Sequence, residues 1–438
     1  MTHRHRIRFS QPGAILALAV FLVAAPAYPS GFQIMTQGAR AMGMGLAFTA
    51  VADDPTAVFY NPAGMGWMSH YEASVGGSIL SRTSGDFQGA NPYPGNGTVE
   101  HLKKQNFLLP TAYGVAPLTK DLNFGIGVYA PYGLGLHWEN AETWSGRFIS
   151  QNAVIQSSDI NASFSYRLIP ELSIAAGGVF RLSKVQLERN QAGANPFTQS
   201  FVDVAHIKLN SDLLDNHGWG WNAALMFKPV DMLSFGVSYR SKVKVNFDAT
   251  ANFTQRPTGN AAFDAAVGAS LPQGTHPATT TIEFPSTVNI GAAVHLLDKA
   301  LTISAQADWT QWTSFKTLDV VFPDLPTLGI HRNNNWTNAW AYRGGIEYKV
   351  TKEFAVRGGY YYDKTPQPVV DAGPILSDNN RNAYTAGFGY NTESWGVDVG
   401  AVYIKFKDRD TTSGNTDQFF GVYKEAAVVG GINIRLAF

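Results

Sequence analysis

The protein has 438 residues, with 33 basic and 33 acidic side chains and no cysteine. A formal charge of zero gives no reason to expect a nucleic acid or another polyanion as partner. The lack of cysteine excludes disulfides and thiolate chemistry. Charged residues make up only 15% of the chain, against about 25% in soluble domains. Glycine (43 residues) and aromatic residues (13%) are abundant. This composition is typical of a membrane barrel with an apolar outer band and aromatic girdles.

Residues 1–27 have the organisation of a secretory signal peptide. A basic region, residues 3–8, precedes an apolar run, residues 14–25, and Ala25-Pro-Ala27 is an A-x-A cleavage site. The apolar run is shorter than the roughly 20 residues that a membrane-spanning helix needs. A short buried helix is the alternative, but only export accounts for the basic region and the cleavage site together. We therefore expect an exported protein that is cleaved after Ala27.

Residues 28–69 show turn signals and helix-compatible stretches instead of alternation. Small residues and Met are frequent in 31–48, and turn-forming Asp-Asp-Pro and Asn-Pro-Ala sequences follow in 52–65. The segment is too long for a linker, and it is apolar enough to pack inside a larger structure. We predict a hatch that plugs the lumen of a barrel; the alternative is a disordered leader.

Apolar and polar residues alternate repeatedly through residues 70–438, which predicts β-strands. The predicted strands are 70–83, 106–117, 121–136, 152–168, 171–188, 200–228, 237–247, 288–294, 301–309, 340–348, 353–363, 380–391, 394–407 and 432–438. The stretch 200–228 reads either as two strands or as one strand broken near Asn216-His-Gly218. Counted as one, it makes fourteen, and an even number is expected of a bacterial barrel.

The stretch from Val237 to Phe247 has the clearest alternation in this series. Read as one continuous strand, it places its apolar residues on one face and Arg240, Lys242 and Lys244 on the other. We therefore expect these three cations to face the lumen. Inward-facing charges are predicted to pair with one another and with the hatch backbone, because buried charges need partners.

The C-terminal strand carries Ile432, Ile434, Leu436 and Phe438 on one face. A strand with one apolar face and an aromatic final residue is typical of an outer-membrane barrel, in which that face contacts lipid. We predict an all-β fold, a transmembrane antiparallel β-barrel of about fourteen strands. A soluble β-sandwich or propeller is the alternative, but it does not explain a signal peptide combined with this strand.

Several short motifs, each weak alone, occur in an order and spacing that together resemble the long-chain fatty acid transporter / toluene transporter family. They are Ser30-Gly-Phe-Gln33, Gly38-Ala-Arg-Ala-Met-Gly43, Ala52-Asp-Asp54, Asn61-Pro-Ala63, Ala130-Pro-Tyr-Gly-Leu-Gly135, Trp144-Ser-Gly-Arg-Phe148, Trp219-Gly-Trp-Asn222 and Tyr239-Arg-Ser-Lys-Val-Lys244. The resemblance spans essentially the whole mature chain. It implies a fourteen-stranded barrel plugged by an N-terminal hatch in the outer membrane of a Gram-negative bacterium. It also implies passive uptake of hydrophobic compounds, either long-chain fatty acids or aromatic hydrocarbons, without a cofactor.

The third predicted strand is interrupted by Ala130, Pro131, Tyr132 and Gly133. Proline cannot donate to a ladder, and a nearby glycine permits a bulge. The predicted kink would open the wall sideways into the bilayer, as the resemblance also implies; a rim proline without an opening is the alternative.

The predicted hatch residues are Gly31, Phe32, Asn61, Pro62 and Ala63. The resemblance places the hatch beside the kinked strand, and we expect Asn61-Pro-Ala63 to be the element next to the gap. A tight turn that only anchors the plug is the alternative.

Arg181 and Lys184 are the candidate ligands for a substrate carboxylate, since they lie on the strand that resembles the family's substrate-contacting strand. An aromatic hydrocarbon would need neither of them. The sequence therefore leaves the two substrate classes open.

An outer-membrane enzyme and an adhesin or structural barrel are the competing functions. The chain has no G-x-S-x-G elbow and no H-E-x-x-H motif, so we predict no catalytic residues and no metal site. An adhesin or structural barrel would not need a hatch. The predicted partners are a hydrophobic small molecule, outer-membrane lipid and lipopolysaccharide, and the barrel assembly machinery, with the protein as a monomer.

Overall fold

The computed structural model describes residues 31–197 and 200–438, so the predicted signal peptide, residues 1–27, lies outside the described residues. The strands are β1 (Glu72–Gly89), β2 (Val99–His101), β3 (Asn106–Pro117), β4 (Leu122–Tyr129), β5 (Gly133–His137), β6 (Asn152–Ile169), β7 (Leu172–Asn195), β8 (Ser200–Ser211), β9 (His217–Val230), β10 (Leu233–Arg240), β11 (Val243–Gln255), β12 (Gly274–Phe284), β13 (Thr287–Leu296), β14 (Leu301–Thr310), β15 (Thr317–Val321), β16 (Ile330–Asn333), β17 (Ala339–Lys349), β18 (Phe354–Asp363), β19 (Arg381–Asn391), β20 (Trp395–Phe406), β21 (Arg409–Asp410) and β22 (Gly421–Ala437).

Helices are few and short. The α-helices are α1 (Ala39–Gly43), α2 (Ala57–Tyr60) and α3 (Ala261–Ser270), and the 3₁₀ helices are Pro62–Trp67, Trp312–Ser314, Pro326–Leu328 and Val369–Asp371. Among the described residues, no helix has the length and apolar character needed to cross a membrane.

Fourteen strands form a closed antiparallel barrel. Each strand pairs with the next in the order β1, β3, β4, β6, β7, β9, β10, β13, β14, β17, β18, β19, β20, β22. The ring closes where β22 pairs with β1, from Glu72 opposite Ala437 to Gly89 opposite Gly421. The predicted fold and the count of fourteen strands are confirmed.

Residues 200–228 form two consecutive strands, β8 and β9, that both pair with β7. β8 pairs with the later half of β7, up to Gln186 opposite Asn210, and β9 pairs with its first half, from Leu182 opposite His217. The two strands run in the same direction and are separated only by residues 212–216. The interpretation as one broken strand is therefore confirmed.

The stretch 237–247 corrects a prediction. It forms two strands, β10 and β11, interrupted at Ser241 and Lys242. Val237 is 40% exposed, whereas Phe247 is fully buried, so the apolar face points outward in β10 and inward in β11. The interruption reverses the pleat, and Lys242 and Lys244 are exposed on the outside of the wall instead of facing the lumen.

The outward face of the ring is apolar along the predicted membrane band. On β22, for example, Ile432, Ile434 and Leu436 are between 45% and 51% exposed, while Asn433 between them is 7% exposed. A strand with this alternation turns its apolar side chains to lipid and its polar ones to the interior. The outward apolar face predicted for this strand is confirmed.

The N-terminal segment, residues 31–68, packs against the inner faces of the barrel strands, and almost all its side chains are buried. Glycines in the wall let its backbone approach closely. A Cβ atom added to Gly345 would lie 2.1 Å from the carbonyl oxygen of Met44, and one added to Gly236 would lie 2.2 Å from that of Thr49. No side chain larger than hydrogen fits at these wall positions without moving the segment.

Candidate functional site

The wall is interrupted between β4 and β5. β4 pairs with β3 as far as Val128 opposite Ala112. β5 continues alongside β6, from Gly133 opposite Gln156 to His137 opposite Asn152. Within the described residues, no ladder joins β5 to β3, and the ladder of residues 106–111 of β3 is the one with β1. The predicted interruption at 130–133 therefore coincides with a gap between neighbouring strands.

The N-terminal segment takes the place of β3 at this interruption. The Ile34 amide donates to the Pro131 carbonyl at 2.7 Å, and the Gly133 amide donates to the Phe32 carbonyl at 2.8 Å. Gln33 and Tyr132 form an antiparallel bridge between these two hydrogen bonds. The Pro131 carbonyl and the Gly133 amide are thus paired with the segment inside the barrel instead of with β3, while the backbone groups of Tyr132 bond to Ser157 of β6.

Phe32 closes the inner side of the gap with an aromatic cluster. Its ring is 1% exposed and lies edge-on to Trp312, with 4.8 Å between ring centroids. Its other aromatic neighbours, at 5.2–6.0 Å between ring centroids, are Tyr132, Phe284, Phe315 and Trp336. Of the predicted hatch residues, Gly31 and Phe32 therefore lie next to the break.

Asn61, Pro62 and Ala63 lie elsewhere, which corrects the expectation that they flank the gap. The Asn61 side-chain amide donates to the carbonyls of Thr49 at 2.8 Å and of Leu225, on β9, at 3.1 Å. Its carbonyl oxygen accepts from the Ala63 amide and caps the 3₁₀ helix that begins at Pro62. These contacts fit the alternative that the sequence left open, a turn that anchors the segment.

Two adjoining cavities lie on the extracellular side of Phe32. The inner one, of about 60 Å³, is lined mainly by apolar side chains, including Phe32, Leu134 and Ile282. The outer one is wider, about 540 Å³, and is bounded by β7, β8, β15, β16 and the loop around Phe148. Residues shared by both linings are Leu187, Leu318, Arg332 and Ile375. Together the cavities form a path from the outside toward Phe32 and the gap.

The structure separates the two predicted carboxylate ligands. Arg181 is 4% exposed, and its guanidinium binds Asp159 through Nε and Nη2, each at 2.7 Å. Lys184 lies three residues further along β7 and therefore on the opposite face of the strand. It lines neither cavity. Arg181 and Lys184 therefore cannot act as a pair on one ligand, and the charge of Arg181 is already matched by Asp159.

Arg189 is the cation that the sequence reasoning missed. It lies on the same face of β7 as Arg181, eight residues further along, and lines the outer cavity. Its Nε is buried without a hydrogen-bond partner, and it forms no ion pair with any described residue. The residue opposite it on β8 is Ile207. A guanidinium with an unused donor therefore faces a cavity whose lining is half apolar and half polar.

Arg332 is the second cation between the cavities, but it is already paired. Its Nη1 and Nη2 lie 2.8 and 3.2 Å from the two carboxylate oxygens of Asp417. Nη2 also donates to the Asp371 carbonyl at 3.1 Å. Arg332 therefore links β16 to two extracellular loops. Of these two arginines, Arg189 is the one with an unused hydrogen-bond donor.

Charged side chains at the periplasmic end hold the N-terminal segment to the wall. Arg40 of α1 contacts Asp53 at 2.6 Å and Glu347 of β17 at 2.9 Å. Glu347 also binds Arg357 at 2.6 Å, and Arg357 reaches Asp398 at 2.7 Å. The prediction that inward-facing charges pair with one another is confirmed for this group.

Comparisons with known proteins agree with this architecture. The family model described as Outer membrane protein transport protein (OMPP1/FadL/TodX) matches residues 20–438. The chain is 25% identical to the Long-chain fatty acid transport protein of Escherichia coli O6:H1, over 97% of this chain and 98% of that protein. A Pseudomonas aeruginosa FadL homologue has a similar structure (TM-score 0.78, 21% identity, 93% of this chain and 99% of that chain). So has the Ralstonia pickettii toluene transporter TbuX (TM-score 0.66, 15% identity, 92% and 100%). At these identities the two structures show a shared fold.

Proposed function

Because the chain belongs to the OMPP1/FadL/TodX family of outer membrane transport proteins, we propose that it takes up long-chain fatty acids by passive diffusion. The name of the Escherichia coli relative supports this cargo. The observation that carries the proposal is Arg189, an arginine without an ion-pair partner among the described residues, in the lining of a cavity that also presents ten apolar side chains. A fatty acid matches both features, since its chain is apolar and its head group is an anion.

Arg189 would bind the carboxylate while the chain lies against the apolar lining. Arginine donors fit a carboxylate in a two-point arrangement, and a charge-assisted hydrogen bond is stronger than a neutral one. Leu187, Leu209 and Phe322 supply apolar lining beside this head-group site. The cargo gains little from an open aqueous pore, so its path follows apolar surface from the outer cavity to the inner one.

The gap beside β5 is the exit in this proposal. We assign the N-terminal segment the role of the hatch, which fills the lumen below the cavities and leaves a sideways route into the bilayer. Ala130, Pro131, Tyr132 and Gly133 form the edge of that route, and Phe32 has to move aside to open it. Diffusion down a concentration gradient needs no nucleotide, cofactor or covalent step.

An aromatic hydrocarbon is the second candidate cargo, and the lining of the inner cavity favours it, although this cavity of about 60 Å³ has to widen to admit a ring. That cavity is lined mainly by aliphatic and aromatic side chains around Phe32, and a neutral ring would need no cation. The toluene transporter with the same fold lends support. A neutral cargo would bypass Arg189, which allows the two candidates to be distinguished.

The remaining partners follow from an outer-membrane barrel. We propose that the protein acts as a monomer, since the ring of strands closes within one chain. Its surroundings would be outer-membrane lipid and lipopolysaccharide, and its insertion would require the barrel assembly machinery.

Uptake measurements test the cargo. Cells lacking their own transporter would express the protein or its Arg189→Gln variant, and would be given labelled oleate or labelled toluene. We expect Arg189→Gln to lower oleate uptake at limiting concentration by about tenfold, the loss of one charge-assisted hydrogen bond, and to leave toluene uptake unchanged. Arg167→Gln, a change at the periplasmic end, is the matched control. Equal oleate uptake by wild type and Arg189→Gln would refute the head-group role, and no uptake of either compound would refute the function.

A further inference from the structure

The outer surface of the wall formed by β10–β13 changes character at one level. On β10, Phe235 and Val237 are exposed apolar side chains, and Tyr239 lies beside Trp221 of β9, with 4.9 Å between ring centroids. From Lys242 onward the outward-facing side chains of β11 are polar. Aromatic residues mark the membrane–water boundary of such barrels. The outer boundary of the membrane therefore lies near Tyr239.

A cleft of about 330 Å³ opens on this surface just beyond the boundary, between β12 and β15. Its lining is rich in lysines and hydroxyl groups. The lining residues are Lys244, Thr279, Thr280, Thr281, Glu283, Ser314, Phe315, Lys316, Thr317, Asp319 and Val321.

One acidic residue of the cleft has an ion-pair partner, and the other is hydrogen-bonded. The Glu283 carboxylate lies 2.5 Å from Nζ of Lys242. The Asp319 carboxylate accepts from Oγ1 of Thr317 at 2.7 Å and also contacts His331.

The remaining charges of the cleft are positive. Lys244 and Lys316 are exposed, and neither forms an ion pair with a described residue. The cleft therefore presents two ammonium groups without an ion-pair partner among the described residues beside the Thr279 hydroxyl, while the hydroxyls of Thr281, Ser314 and Thr317 already donate to other groups of the protein.

We propose that this cleft binds the phosphate groups of an outer-leaflet glycolipid, the lipid A part of lipopolysaccharide. Ammonium and hydroxyl groups are the donors that bind phosphate oxygens. Lys242 and Lys244 follow Tyr239 by three and five residues, or about 10 and 16 Å along the strand. That is the level of lipid head groups just outside the apolar core. The proposal rests on the outer-membrane location of the family and is independent of which cargo the protein carries.

Binding of lipid A to the purified full-length protein tests this site. The probes are bisphosphorylated lipid A, the same lipid after removal of both phosphates, and inorganic phosphate, with retention measured by native mass spectrometry. We expect the Lys244→Gln/Lys316→Gln variant to bind bisphosphorylated lipid A at least about tenfold more weakly than wild type. We expect both proteins to bind dephosphorylated lipid A equally and weakly.

Two further variants exclude trivial explanations. Lys103→Gln/Lys104→Gln removes two exposed lysines from an extracellular loop outside the cleft and is expected to bind as wild type does. Lys244→Arg/Lys316→Arg keeps both charges and is expected to restore binding. Equal loss in both glutamine variants, or no loss in either, would overturn the proposal. Inorganic phosphate binding as tightly as lipid A would also overturn it, because the cleft would then be a simple anion site.

Discussion

Gln37 hydrogen-bonds both backbone groups of Ala130. Its side-chain amide donates to the Ala130 carbonyl at 2.6 Å, and its side-chain carbonyl accepts from the Ala130 amide at 3.3 Å. A neighbouring strand would ordinarily satisfy these two groups. At the break, the side chain of Gln37 therefore supplies the hydrogen bonds that a neighbouring strand supplies in the intact wall.

Gln37→Ala should destabilise the protein, because it leaves both buried backbone groups of Ala130 unpaired. We expect the free energy of unfolding to fall by about 1–3 kcal/mol. Urea unfolding in detergent, followed by tryptophan fluorescence, measures the change. Gln88→Ala, at an exposed position on β1, should leave the unfolding midpoint unchanged. A Gln37→Ala midpoint equal to that of wild type would show that water replaces the side chain without cost.

Replacing Pro131 and Gly133 together with valine should close the gap. Valine at 131 regains an N–H donor, and valine favours a regular strand. We expect a barrel that still folds, shown by heat-modifiable migration in gels, while oleate uptake falls to the level of cells without the protein. Pro117→Val, at the periplasmic end of β3, is the control. Undiminished uptake by an assembled double variant would rule out sideways release.

Gly345→Ala should disturb the N-terminal segment, while Gly344→Ala should not. A Cβ at Gly345 would lie 2.1 Å from the Met44 carbonyl, whereas the nearest atom to one at Gly344 is 4.0 Å away. We expect a loss of about 1–3 kcal/mol from overpacking and faster entry of a hydrophilic antibiotic into cells carrying Gly345→Ala. The neighbouring alanine variant controls for the change in composition. Identical permeability in the two variants would mean that the segment yields without opening the lumen.

Stability should depend on Asp378 at mildly acidic pH. Burial raises the pKa of this extracellular-loop carboxyl group, which accepts from the Gly31 amide at 3.1 Å. A carboxyl group whose pKa is higher in the folded than in the unfolded chain adds to the free energy of unfolding at low pH. This contribution is complete at pH values below the unfolded-state pKa of about 3.9, and it is lost as pH rises through the folded-state pKa. We therefore expect the unfolding midpoint of wild type to exceed that of Asp378→Asn by an amount that grows as pH falls from 7 toward 4. Asp215→Asn, at an exposed loop position, should show no such trend.

Strand positions were predictable because a period of two is a local property of the sequence. It was harder to predict which face of each strand points to the lumen. Between Tyr239 and Val243 the apolar pattern continues with the spacing of one strand, yet the two residues at 241 and 242 form no ladder and reverse the faces. Whether residues 241 and 242 continue the strand or interrupt it depends on the neighbouring strands. The local sequence pattern does not specify which strands those are.

The candidate cations show the same limit. Arg189 lies one residue beyond the predicted strand 171–188, and it shares a face with Arg181 only because the strand continues to Asn195. Asp159 lies directly opposite Arg181 on β6, whereas the residue opposite Arg189 on β8 is Ile207. Which arginine keeps its donors free is decided by cross-strand register, which a single sequence does not contain. Likewise, the role of Asn61 depends on a contact with Leu225, 164 residues away.

The closure of the ring by β1 and β22 constrains the order of assembly. The N-terminal segment leads directly into β1, but the wall around it is complete only when β22, the last barrel strand to leave the ribosome, reaches β1. Closure of this seam and placement of the segment in the lumen therefore both act on β1, the strand to which the segment is joined.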